Sequence, residues 1–509
     1  MAKSKKKNAI TIVVLLLLVV AMGAAYFLLV NRNAEDGGDS DSEEDTSIVL
    51  SEFEDDQISE LSFDNGTLSM TLVYDAEAET WSDPQDPDFP VYQSKANTMR
   101  NTVSGLSATQ MVTDAPEDIA EYGLEDPAMT ITLTLTDGTE FTMYIGSELV
   151  TGDGYYAMVE GDPAVYVVSR TVYNTYNIEL TDLTETEDAP SFSTEQIRAL
   201  LVESAEFGNF EIRYDEDNEY DYSENSMYPW TIYQPYDTPV NGDSTNITEM
   251  LGNFTSFSLA DCVNYNADDL SVYGLDEPSG MISITYVPET EEEETDEESS
   301  EEEVVEEEAD VEEVTEVYTL YIGDLDESGN YYYVRQEGSN AVHTMSKSTL
   351  DTKMDIDVFS MVTNLPALVF IDYCEQIDID IEGETHQAVL EHTTETDEDG
   401  NTTTESVFYF DGVQAVDESA FRGLYQDLIG FTIETELTKE WDETAEPYVT
   451  IVFHKNTEEK TDLTVEFLPY DDDFYAVRVN GTALFGADVR DIASMVESIR
   501  SYDPTIEEE

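Results

Sequence analysis

Cysteine, histidine and positive charge are nearly missing from this chain. Its 509 residues hold two cysteines, four histidines and 20 Lys or Arg against 115 Asp or Glu. The resulting net charge of −95 repels the anionic face of a bilayer and repels nucleic acid, which is not an expected partner. Cys262 and Cys374 stand far apart, which argues against a disulfide framework and for two separate small apolar side chains. His343, His386, His392 and His454 leave few candidates for a metal ligand or a general base. No His-Glu-x-x-His, Gly-x-Ser-x-Gly, phosphate loop or Cys-x-x-Cys occurs. No catalytic, cofactor or metal site is expected, and the chain is read as a non-enzyme. With 115 carboxylates, pairing among them carries no information about acid–base chemistry.

Charge is also absent from one long stretch. After Lys3, Lys5, Lys6 and Lys7, the 22 residues from Ala9 to Val30 carry none, enough at 1.5 Å per residue to span a hydrocarbon core of about 30 Å. A cleaved signal peptide is the alternative, but its apolar region would be shorter. The small-x-small candidates Ala21-Met22-Gly23 and Gly23-Ala24-Ala25 also lie inside the run. The expected layout is a cytoplasmic basic tail over residues 1–8, a transmembrane signal anchor over 9–30 and an acidic linker over 31–47. The lysines hold the N-terminus inside and the bulk of the chain lies outside the cell membrane. For such a chain, sparing use of cysteine points to a bacterial surface.

What the chain does have is self-similarity. Tyr122-Gly123-Leu124-Glu125-Asp126-Pro127 returns as Tyr273-Gly274-Leu275-Asp276-Glu277-Pro278. A tryptophan, Trp81 or Trp230, precedes each copy, and Ile145-Gly146 with Tyr155-Tyr156, or Ile322-Gly323 with Tyr332-Tyr333, follows. A five-residue stripe at one fixed set of offsets occurs three times: Ala96, Met99, Arg100, Val103, Leu106; Ile247, Met250, Leu251, Phe254, Phe257; and Phe421, Leu424, Tyr425, Leu428, Phe431. That spacing places all five on one helical face against a sheet. Ser94, Ser244 and Asp417 are the expected caps. The pairs Tyr156/Tyr166, Tyr333/His343 and Tyr475/Phe485 share one spacing, as adjoining strands require, and Ser169, Ser346 and Asp488 stand ready to cap a closing helix. His343, in the place of Tyr166 and Phe485, therefore reads as packing.

A repeated unit decides the architecture. The expected fold is α+β and β-rich: three tandem antiparallel-sheet units, each with one or two packed helices. They span 48–190, 191–364 and 365–509, the last degenerate because it keeps only Pro447 of the hexapeptide. A hairpin across Asn65-Gly66 opens the first. The hairpin that turns at Asp137-Gly138 in unit 1 is interrupted in unit 2 over 289–316, where 18 of 28 residues are Asp or Glu. Like charge at that density reads as a disordered, solvated spacer, weak cation binding or capture of a basic partner being the alternative. Asp397-Glu398-Asp399-Gly400-Asn401 resembles a calcium loop with its glycine and terminal glutamate misplaced, and is read as a hairpin turn.

The Tyr-Gly-Leu-x-x-Pro residues, Tyr122, Gly123, Leu124 and Pro127 with Tyr273, Gly274, Leu275 and Pro278, read as structural: glycine for the turn, leucine and tyrosine for the interior, proline to start the strand. An exposed tyrosine stacking on a sugar or a partner is the functional alternative. At these residues, with Trp81 and Trp230, the chain resembles a bacterial domain-of-unknown-function family, number 4340, over about residues 48–362 and more weakly over 366–505. The resemblance implies a membrane-anchored protein that accompanies multispanning permeases and ATPases of the ABC type. It supplies no catalytic residues. The function this implies is that of an accessory or scaffold subunit of a membrane transport assembly, partnered by a multispanning protein such as an ABC-type permease. A surface module binding a cell-wall or extracellular polymer is the alternative.

Overall fold

The computed structural model of the protein describes residues 48–223, 226–289, 313–396, 402–457 and 462–506. The anchor at 9–30, the linker, the loop Asp397–Asn401 and most of the acidic insertion lie outside these residues. The described residues form four antiparallel sheets and seven α-helices. None of those helices is long and apolar enough to cross a membrane. The chain divides into two compact units, Met1–Pro84 with Ala96–Ile178, and Gln85–Lys95 with Glu179–Glu509.

The first unit is built on an eight-stranded sheet. Its order is Thr80–Ser82, Ser69–Asp75, Ile58–Asp64, Met129–Leu135, Glu140–Glu148, Gly154–Val159, Val165–Ser169, Gln110–Thr113. Alternation makes this legible: Leu61, Phe63, Ile131, Leu133, Met143 and Ile145 are buried at every second position. Ile48–Val49 and Ser107–Ala108 form a separate two-stranded sheet.

The second unit carries two nine-stranded sheets of one strand order. The first runs Val240–Asn241, Trp230–Gln234, Phe210–Tyr214, Ile197–Ser204, Gly280–Tyr286, Glu316–Leu325, Tyr331–Gln336, Val342–Ser346, Cys262–Asn264. The other runs Val413–Gln414, Thr402–Phe410, Glu384–Thr396, Cys374–Ile381, Val449–Lys455, Leu463–Pro469, Phe474–Val479, Thr482–Asp488, Thr435–Glu436. The eight-stranded sheet of the first unit follows the same order with one edge strand fewer. One continuous apolar core joins the two sheets of the second unit. Tyr286 is the ladder partner of Glu316, so the acidic insertion leaves and re-enters this sheet at a single rung.

All fifteen stripe residues are buried. They lie on or just beyond the helices Gln93–Ser104, Ser244–Leu251 and Glu418–Ile429, where each large apolar side chain contributes roughly 1.5–3 kcal/mol. The caps differ in part from the expectation. Asp417 caps its helix through the amides of Ser419 and Ala420. Asp243, not Ser244, caps the second helix, because its carboxylate reaches the Asn246 amide at 2.8 Å. The first helix already starts at Gln93, which places Ser94 inside the first turn. Ser169, Ser346 and Asp488 all occupy the N-cap of a closing helix, and Asp488 bonds an amide there.

Candidate functional site

The repeated hexapeptide forms a short 3-10 turn, Ile119–Tyr122 or Leu270–Tyr273, followed by glycine in the left-handed region at φ 71° or 65°. Gly123 N–H donates to the Ala120 carbonyl and Leu124 N–H to the Ile119 carbonyl, both at 3.1 Å. This double bond pattern closes a helix end and needs a residue tolerant of positive φ. The turn opens on Asp118, which accepts from the Ala120 amide, or on Asp269, which accepts from that of Ser271. Each aspartate stands four residues before the motif tyrosine, a signal present in the sequence and missed there.

Against this turn lies the Ile-Gly strand. A Cβ on Gly146 would collide with the Tyr122 carbonyl oxygen, and one on Gly323 with that of Tyr273. Conversely, a Cβ on Gly123 would approach the Ser147 amide nitrogen to 2.8 Å. The two glycines of each copy are halves of one close backbone crossing. Strand pairing shifts register at the same point, between Ile145 and Glu148 and between Ile322 and Leu325. Such a bulge bends the strand to admit the turn. Leu124 and Leu275 are buried, while Tyr122 and Tyr273 meet Tyr156 and Tyr333 edge-on at 5.1 and 5.0 Å. Pro278 is exposed and Pro127 half-buried, each just before its strand. Trp81, in an edge strand, and Trp230, one strand in from the edge, are buried as ladder partners of Tyr74 and Tyr214.

The third sheet replaces this crossing in a concerted way. Phe467 holds the ladder place of Ile145 and Ile322, since it faces Val449 as they face Met129 and Gly280. Leu468, fully buried, therefore stands where the others have Gly146 or Gly323. Pairing from Val465 to Pro469 runs without a shift. The same ladder aligns Ala476, not Tyr475, with Tyr156 and Tyr333. The equal spacing of Tyr475 and Phe485 misleads because the third hairpin turns through Asn480-Gly481 and is one residue shorter. Turn, glycine and tyrosine are thus lost together. The connection 438–447 occupies that side instead, tied by Tyr470, whose hydroxyl accepts from the amides of Thr438 and Lys439.

The titratable groups are accounted for by packing. His343 is fully buried, and its Nε2 accepts from the Glu187 amide at 3.1 Å; burial holds its pKa below the usual value. The Cys262 and Cys374 thiols are free, buried and pushed up by that burial to about 11 and about 12, so neither is a thiolate at neutral pH. His454 sits between Asp378 and Asp462 at 2.9 and 2.8 Å. Partial burial disfavours its charge, but the two carboxylate bonds outweigh that and raise its pKa. His386 bonds Asp411 and stacks on Phe410, and His392 bonds Ser406. Among the described residues, no group of three or more His, Cys, Asp or Glu is arranged to hold a metal ion.

Lys353 is a cation whose charge is disfavoured by its surroundings. It is buried in the closing helix, donates to the carbonyls of Asn253 and Ser256, and lies 4.6 Å from the Phe257 ring centroid. Burial lowers its pKa to about 8. Counting from the caps Ser169 and Ser346, Tyr176 holds the same place in the first unit, where its hydroxyl donates to the Met99 carbonyl at 2.7 Å. Tyr176 thus bonds a carbonyl within the first striped helix, and Lys353 bonds carbonyls of the 3-10 turn and loop that follow the second.

A cavity of about 240 Å³ lies between the two nine-stranded sheets of the second unit. Tyr220, Tyr222 and Val240 line one side, and Val479, Leu484 and Phe485 the other. Sequence reading offered no signal for it.

Fold and motif together define a tandem-repeat protein of antiparallel sheets, its glycine motif devoted to closing them. The chain belongs to the family described as a domain of unknown function (DUF4340), whose model matches residues 81–228 and 230–362. The matches start at Trp81 and at Trp230, and they stop before the third sheet. Neither the curated proteins nor the solved structures provide a match.

Proposed function

We propose that the protein is a non-enzymatic, membrane-anchored accessory or scaffold subunit of a bacterial membrane transport assembly of the ABC type, built from three copies of one sheet unit. One observation carries the reading: the residues by which the family is recognised are used to close sheets. Tyr122 packs on Tyr156, Gly123 abuts the Gly146 strand, and Leu124 is interior. A signature of that kind fits a protein whose task is to present surfaces. The shared strand order supports counting the third sheet as a copy. The apolar run 9–30 would keep these surfaces at the membrane, where Gly23, Ala24 and Ala25 suit close helix contact with a multispanning partner.

The test is purification of the full chain in mild detergent. A multispanning protein, an ABC-type permease, is expected to copurify, and exchange of residues 9–30 for an unrelated anchor should weaken the association. If only wall polymer is recovered, and a soluble 48–509 fragment binds it as well as the full chain, polymer binding replaces this reading.

A further inference from the structure

We infer that the cavity between the two sheets of the second unit is a binding site for a small, uncharged, largely apolar molecule of about bicyclic-aromatic size. Its near wall is an addition to the repeated unit. Between Ser69–Asp75 and Thr80–Ser82 the first sheet turns through residues 76–79, whereas residues 215–229 join Phe210–Tyr214 to Trp230–Gln234. This longer connection is organised from within. Buried Asn218 donates to the Tyr228 carbonyl and to Asn241 Oδ1 and accepts from the Tyr220 amide. Buried Asp221 accepts from the amides of Ser223 and Tyr228. These bonds fix Tyr220 and Tyr222 as a wall before any ligand arrives, which lowers the ordering cost of binding. Across the cavity, Asn480 donates to the Tyr222 hydroxyl at 3.2 Å, and the Lys455 ammonium lies 5.0 Å from the Tyr222 ring centroid.

Charge defines the ligand class. In a chain of net charge −95, none of the described lining residues carries a charge. The surrounding field repels an anion, and the lining offers no carboxylate to a cation, so a neutral molecule is favoured. The polar side chains of the lining are largely committed: Asn241 to Asn218 and the Tyr220 carbonyl, Asn480 to Tyr222 and the Thr464 amide. Holding therefore falls to apolar contact with Val240, Val479, Leu484 and Phe485. A dry cavity of about 150 Å³ accommodates benzene, so 240 Å³ suits a body somewhat larger.

Photolabelling of the full chain with benzophenone, a neutral aromatic ketone that inserts into nearby C–H bonds, tests this by peptide mapping. Adducts are expected on 220–240 and 477–485, saturating with probe and suppressed by excess naphthalene. Val479→Trp and Leu484→Trp, which fill the cavity, should each cut this labelling by about tenfold, equivalent to roughly 1.4 kcal/mol of binding. Val413→Trp, at an exposed site elsewhere, should not. Adducts spread over exposed apolar residues such as Val272 and Val317, or insensitive to naphthalene, would overturn the inference. Undiminished cavity labelling in a filled variant that keeps its thermal transition would do the same. Should neither filled variant fold, the position and competition of the wild-type adducts decide.

Discussion

Gly323 shows what a single missing side chain accomplishes. A Cβ there would meet the Tyr273 carbonyl oxygen, which is backbone and cannot move aside without opening the turn. At Gly274 the obstruction is the Asp324 carboxylate, 2.5 Å from an added Cβ, a flexible group that can rotate away, although positive φ remains a cost. Gly323→Ala should therefore destabilise the second unit by about 2–4 kcal/mol, and Gly274→Ala by about 1–3 kcal/mol. Denaturant unfolding ranks the two; equal or reversed losses would remove the crossing from the account. Lys353 gives a pH-dependent counterpart. Its pKa is near 10.5 when unfolded and about 8 when folded, so between those values the unfolded chain binds more protons. Stability should rise with pH through that window, the burial cost being fully present below it. Unfolding free energies at about pH 7.5, 8.5 and 9.5 should show the native protein gaining on Lys353→Met as pH rises, while the raised Cys262 and Cys374 thiols lower both proteins alike toward the upper end. Parallel slopes would place the titration elsewhere.

At the scale of elements, the sequence was most informative where one period dominates. The three helical stripes are legible because burial repeats every 3.6 residues, and all their members are interior. Caps were less secure, since Asp243 and Ser244 are adjacent candidates and the stronger acceptor prevailed. Tyr475 was placed one residue off because strand register depends on the turn, and Asn480-Gly481 shortened it. The cavity wall could not be read at all: Tyr222 and Asn480 are 258 residues apart, and nothing local announces their contact. The acidic insertion is the clearest legible departure from the repeat. Because Tyr286 pairs with Glu316 and Arg198 forms an ion pair with Glu313 at 2.6 Å, the hairpin is already closed inside the insertion. Deleting residues 290–312 while keeping Glu313 should shift the thermal midpoint by no more than about 2 °C. A larger drop would mean that the acidic residues pack on the fold.

On the scale of the whole molecule, two facts pull in one direction. Sheets of a single strand order recur three times, and the family's own motif is consumed in closing two of them. The third sheet keeps the order while exchanging Gly for Leu468 and Tyr for Ala476, so its outer side is free to differ. Such a chain offers strongly acidic surfaces, and the proposed anchor would confine them to the membrane. Cross-linking in intact cells, followed by mass spectrometry of the adducts, tests this most directly. The account predicts cross-links from the sheet surfaces and the segment next to residue 30 to extracellular loops of one multispanning membrane protein, and their loss when residues 9–30 are replaced. Cross-links confined to wall material, and unchanged by that replacement, would contradict it.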